Sequence, residues 1–171
     1  ATIKLTAYDK NGKKLGETSR YIDYMDARGQ WKVKLTIYVG KNAKVASYKT
    51  TVSGRYIRNS RSNSNITAKV TKLNKNKNLY TTTVKFKNKN NAKLTSVFAT
   101  YAFYDKKGNI IKTRFCGYYK NSVVPSTGEK VKGALGNGLK KNKSFTATEK
   151  TYSLDYDIVS CKIAEAHGYD L

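Results

Sequence analysis

Apolar and polar residues alternate along most of the chain with the two-residue period of a half-buried strand, and the pattern restarts after clusters of Gly, Asn, Asp or Ser. The cleanest run is 31–39, which predicts a strand with Trp31, Val33, Leu35, Ile37 and Val39 on a core face and Lys32, Lys34, Thr36 and Tyr38 in water. Further strands are predicted over 2–8, 13–21, 44–57, 66–73, 79–87, 94–104, 109–119 and 129–135, with two more within 144–163. Val45, Tyr48 and Val52 are the apolar points of 44–57. Near the end, Tyr152, Leu154, Tyr156 and Ile158 share one face before the phase slips at Val159, as a bulge would cause. Only the short stretch 163–167 has a helical option.

Two of these strands, 101–104 and 109–115, flank Asp105-Lys106-Lys107-Gly108-Asn109. That is a hairpin signature: the Asp side chain can start the turn and Gly can take the positive φ it requires. Leu5-Thr6-Ala7-Tyr8-Asp9-Lys10-Asn11-Gly12 repeats the arrangement near the start, which implies an internal duplication. Short strands with frequent turns and no sustained helical period predict an all-β protein, an antiparallel immunoglobulin-like β-sandwich. The expected organisation is a first unit over 1–57, incomplete or truncated, a polar linker over 58–65 rich in Arg, Ser and Asn, and a second unit over 66–171. The start without Met, inside an alternating segment, is expected of a piece of a longer protein.

Charge adds a functional question. Lys and Arg number 34 against 11 Asp and Glu, a formal charge of +23. An excess of this size points to an anionic partner: nucleic acid, lipid head groups or a polyanionic envelope such as teichoic acid. Codon bias toward Lys and Asn is the competing explanation. The densest candidate patches are Lys85, Lys87 and Lys89 on one strand and Lys140, Lys141 and Lys143 in a late loop. Outward lysines also blunt exposed sheet edges. With 14 Tyr among these lysines, a stacking platform for nucleic acid is the alternative, although Arg is scarce and no nucleic-acid-binding signature occurs.

Catalytic, metal and cofactor chemistry have little to build on. No cofactor is expected, and no catalytic or metal site. His167 is the only histidine, and no local motif joins it to Cys116 or Cys161 as a nucleophile and base. The two cysteines are too few and too far apart for a zinc knuckle or a CxxC motif. They admit either a disulfide between sheets in an oxidising compartment or two small buried thiols. Asp155 and Asp157 share a strand face, but without an acidic, Gly-containing calcium loop they are better read as partners for lysine, as are Asp23 and Asp26.

The hairpin Tyr101-Ala102-Phe103-Tyr104-Asp105, followed by Lys-Lys-Gly-Asn-Ile-Ile, resembles the FxLYD-type family of bacterial immunoglobulin-like modules. Val84-Lys85-Phe86-Lys87-Asn88 is similar to the family's first strand, and Val124-Pro125-Ser126-Thr127-Gly128-Glu129 to its Val-Pro-x-Gly-Glu turn. The resemblance covers residues 79–163, with a weaker partial copy in 1–57. It implies a secreted or surface-exposed, non-catalytic structural or binding module. With the charge, the expected function is adhesion or attachment to an anionic envelope polymer, or to another surface protein, outside the cell or in its envelope.

Overall fold

The computed structural model describes residues 1–24, 29–54 and 66–170. The expected linker 58–65 and Asp26 lie outside them, as does the end of the 44–57 stretch. Among the described residues there are eleven strands: β1 (Thr2–Tyr8), β2 (Lys14–Tyr21), β3 (Ser47–Ser53), β4 (Ile66–Asn76), β5 (Leu79–Asn88), β6 (Ser96–Tyr104), β7 (Ile110–Tyr119), β8 (Ser122–Val123), β9 (Lys130–Val131), β10 (Ser144–Tyr152) and β11 (Ser160–Tyr169). Their ladders are antiparallel. Among the described residues no helix is long and apolar enough to cross a membrane.

A β-sandwich forms the centre. One sheet has the order β10-β5-β4 and the other β11-β6-β7, and alternation sends every second side chain into the space between them. Val84 and Phe86 from β5 meet Val97, Tyr101 and Phe103 from β6, with Tyr118, Ala147 and Ile158 completing the cluster. Phe86 and Phe103 are fully buried, and removing each ring from water contributes about 2–3 kcal/mol. Along the β7/β10 side, Lys112 donates to the Tyr152 carbonyl at 2.7 Å and Arg114 pairs with Glu149 at 3.2 Å and donates to the Lys150 carbonyl. Basic side chains thus cover carbonyls at a sheet edge that would otherwise offer pairing sites.

Both Asp-Gly hairpins form, with matching backbone bonds at their turns. The Asp9 carboxylate accepts from the backbone N–H groups of Asn11 and Lys13, while Asp105 accepts from those of Lys107 and Asn109. Gly12 and Gly108 both donate to the Asp carbonyl and hold φ of 78° and 79°. Each hairpin carries a register shift at its Tyr, Tyr8 or Tyr104. Space for a Cβ is open at Gly108, so only backbone conformation opposes a side chain there. Gly108→Ala is therefore expected to cost about 1 kcal/mol in urea denaturation, and Gly108→Asn less, since Asn tolerates left-handed φ. Equal losses for the two variants would exclude that cause.

The two hairpins have different surroundings. The first hairpin lies in a three-stranded sheet, β2-β1-β3, where Ala7 and Thr6 are buried but β3 is exposed throughout. Tyr48 and Val52, expected as apolar anchors, are 65% and 68% exposed. Residues 31–39 show the predicted alternation, with the five apolar side chains half-buried and the four others exposed. Yet beyond a parallel bridge from Trp31 to Ile110 they join no ladder among the described residues. They run instead against β2, where a Cβ at Gly16 would meet the Tyr38 carbonyl oxygen at 2.8 Å.

Three other expectations change. Residues 153–159 are a loop, with Leu154 82% exposed and Ile158 buried, so no common face runs from Tyr152 to Ile158. The bulge lies later, between Ile163 and Glu165. The stretch 163–167 belongs to β11, because pairing with β6 outweighs the weak helical preference of Ala-Glu-Ala.

Candidate anion-binding face

Strand β5 is the middle strand of its sheet, and its inward residues are Tyr80, Thr82, Val84, Phe86 and Asn88. Lys85 and Lys87 must therefore face outward. Register sets Lys87 between Ser144 and Thr67, and Lys85 between Thr146 and Lys69. The next rows are Thr148-Thr83-Lys72 and Lys150-Thr81-Asn74. These four rows contain lysine, threonine, serine and asparagine, without a carboxylate. Their acidic neighbour Glu149 pairs with inward Thr82 and turns away.

The two sequence-distant lysine patches meet at the end of β5. Asn88 donates its backbone N–H to the Lys143 carbonyl at 3.0 Å and accepts from Asn142 at 2.7 Å. Its buried side chain donates to the carbonyls of Ala92 and Leu139, both at 2.9 Å, and accepts from the N–H of Asn90 at 2.7 Å. Asn142, at φ 61°, turns the chain so that the Lys143 N–H reaches the Lys140 carbonyl. Lys89, Lys140, Lys141 and Lys143 are exposed at the end of the strand that carries Lys85 and Lys87. Lys69, Lys72 and Lys150 extend the same face. They escape a reading of local lysine density because only strand pairing brings β4 and β10 against β5.

Aromatic rings are not interleaved with these lysines. The four rows contain none, and the next row adds only Tyr152. This face therefore lacks the aromatic platform that strand-tracking nucleic-acid grooves combine with their cations.

The other candidate groups have structural partners. Asp155 accepts from Lys34 at 2.6 Å, and Asp157 from Lys75 at 2.5 Å and the Tyr80 hydroxyl at 2.6 Å. These bonds hold the Asp157 carboxyl below the usual carboxylate range. Asp155 and Asp157 line, with Asp105, Lys32 and Tyr156, a cleft of about 250 Å³ beside the β6–β7 turn. Asp23 accepts from the Thr113 hydroxyl at 2.6 Å. His167 is part of β11, largely covered, and 3.5 Å from Glu165.

Cys116 and Cys161 are buried free thiols, not a disulfide. Cys116 pairs with Ala99 and Cys161 with Phe103, on opposite sides of β6. Four residues along the strand and two strand spacings across separate their Cα atoms by roughly 15 Å, far beyond disulfide reach. Burial pushes the Cys161 thiol up to about 12 and raises that of Cys116 as well. Between them, the hydroxyls of Tyr101 and Tyr118 share a 2.5 Å hydrogen bond, and Tyr118 donates to Glu149 at 3.1 Å. Burial raises both tyrosines above their ordinary value. A nucleophile needs the opposite shift.

The chain is thus an all-β protein built on an antiparallel sandwich with one strongly basic outer face. No family model matches it, and no curated protein matches it. Among solved structures it is similar to one described as the structural characterization of IrmA from Escherichia coli, at 15% identity and a TM-score of 0.40, covering 61% of this chain and 77% of that one.

Proposed function

We propose that this chain is a non-catalytic, FxLYD-type module of a secreted or cell-surface protein that attaches to an anionic envelope polymer. The observation that carries the reading is the joining, through Asn88, of the strand bearing Lys85 and Lys87 and continuing to Lys89 with the loop bearing Lys140, Lys141 and Lys143, at the end of a sheet face whose four rows contain no carboxylate. Ammonium groups on such a face attract phosphate or carboxylate groups spaced along a polymer, and threonine hydroxyls between them donate further hydrogen bonds. The attraction is mostly Coulombic and exposed, so salt screens it.

Retention on isolated teichoic-acid-bearing cell wall tests this directly. Binding should fall steeply with ionic strength, and Lys85→Glu/Lys87→Glu/Lys143→Glu should weaken it about a hundredfold, at roughly 1 kcal/mol per lysine near an anionic surface. Retention unchanged by the triple variant removes the proposed face. Binding to DNA at physiological salt with none to cell wall reverses the choice of partner.

A further inference from the structure

The opposite outer face, on β11-β6-β7, has a different chemistry. Around Tyr104, Ala102 and Ile110 it is covered: Trp31 and Tyr24 pack there, and the Trp31 indole N–H donates to the Tyr24 carbonyl at 2.8 Å. The rest of that face presents three rows, Phe115-Thr100-Glu165, Gly117-Phe98-His167 and Tyr119-Ser96-Tyr169. Phe98 stands in the middle. Phe115 stacks beside it at 5.6 Å between centroids and 10° between planes, while Tyr119 and Tyr169 meet it edge-on at 5.6 and 5.7 Å. Phe115, Tyr119 and Tyr169 are each more than half exposed. Gly117 lets the rings close over β7: a Cβ there would meet the Tyr119 hydroxyl at 2.6 Å and Phe98 at 3.0 Å.

We propose that this aromatic surface is a saccharide-binding site, taking a β-linked pyranose chain whose rings present flat, axial C–H faces. Three features select that ligand. Every large apolar side chain in the three rows is aromatic and none is aliphatic, so the surface offers ring faces and edges to stack on, unlike the aliphatic-containing core of a folded domain. Neither lysine nor arginine occurs in these rows of a chain with a formal charge of +23, so neither a polyanion nor a nucleic-acid backbone is matched here. Glu165 and His167 stand side by side at the rim, 3.5 Å apart, and with the tyrosine hydroxyls provide the donors and acceptors that equatorial hydroxyls require. Strand spacing and rise give the three rows a footprint of roughly 10 by 14 Å, enough for a short oligosaccharide.

Titrating the chain with cellotriose and with chitotriose at high salt, where the basic face is screened, tests the site by backbone-amide NMR. Saturable shifts are expected in β6, β7 and β11 for at least one of the two. Phe115→Ala and Tyr169→Ala should each weaken binding about tenfold or more, by analogy with the loss of one stacked ring. Phe115→Tyr, which keeps the ring, should retain it. Lys85→Glu/Lys87→Glu/Lys143→Glu should bind the sugars normally, so failure here is separable from failure of the basic face. Absence of shifts with both sugars overturns the proposal, as do shifts unaffected by Phe115→Ala and Tyr169→Ala. A dimer that Phe115→Ala dissociates would assign the surface to a second copy and overturn it equally.

Discussion

Replacing Asn88 with alanine is expected to lower the unfolding free energy by about 3 kcal/mol, because three buried or half-buried hydrogen bonds are lost at about 1 kcal/mol each. Asn88 is fully buried, so water cannot take over the carbonyls of Ala92 and Leu139 without opening the loop. Asn88→Asp is expected to be no better: it keeps the acceptor for Asn90, loses both side-chain donors and adds a buried charge. Chemical denaturation of both variants measures this. A loss below about 1 kcal/mol would show that backbone bonds from Asn88 to Lys143 and Asn142 suffice to join the two lysine patches.

Stability should also fall sharply in alkali. Around neutral pH the thiols of Cys116 and Cys161 and the hydroxyls of Tyr101 and Tyr118 carry their protons in both folded and unfolded chains, so they contribute no slope. Above about pH 9 unfolded thiols ionise, while the folded Cys161 thiol, pushed up to about 12, stays protonated. The folded state then binds more protons than the unfolded one, so stability falls as pH rises and continues to fall until the folded thiol titrates. The limiting slope is about 1.4 kcal/mol per pH unit for each thiol. Unfolded tyrosines join from about pH 10. Denaturant midpoints across this range, compared with those of Cys116→Ala/Cys161→Ala, separate the two groups: the double variant should be flatter between about pH 8.5 and 10. An unchanged slope in that interval would mean that the thiols are not the cause. Alkylation of the native protein should accordingly proceed only as fast as it opens.

Much of the fold was legible because hairpins are local. Asp105 and Gly108, like Asp9 and Gly12, encode their turns within five residues, and both turns form with the same bonds. The strands that pack in the sandwich were legible from period alone, since Tyr80, Thr82, Val84 and Phe86 alternate with outward residues. Period was a poorer guide at 31–39 and 47–53. It reports that a segment is extended with one face less wet, and cannot report whether a neighbouring strand is present to accept its hydrogen bonds. Tyr48 and Val52 fall on one face of β3, yet no second layer among the described residues covers them.

The candidate site divides in the same way. Lys85 and Lys87 were recognisable as outward residues of a strand, and Lys140, Lys141 and Lys143 as an exposed loop, but their proximity depends on Asn88 bonding to residues more than fifty positions away. The cysteines show the reverse. Each lies in a strand that the sequence predicts, and only the register against β6 reveals that the two thiols lie too far apart to bridge. The aromatic rows on β6, β7 and β11 are equally invisible along the chain, because Phe98, Phe115 and Tyr169 become neighbours only when three strands pair.

By itself the sequence determined the all-β class, the positions of most strands, the two Asp-Gly turns and the excess of positive charge. These depend on dihedral preference, side-chain period and composition, which act over a few residues. Tertiary structure decided which strands share a sheet, which thiols stay apart, and that Lys85 and Lys87 stand on one outer face while Phe98, Phe115, Tyr119 and Tyr169 gather on the other. Those outcomes depend on register between distant strands, where a shift of one residue would exchange the inside of a sheet for its outside.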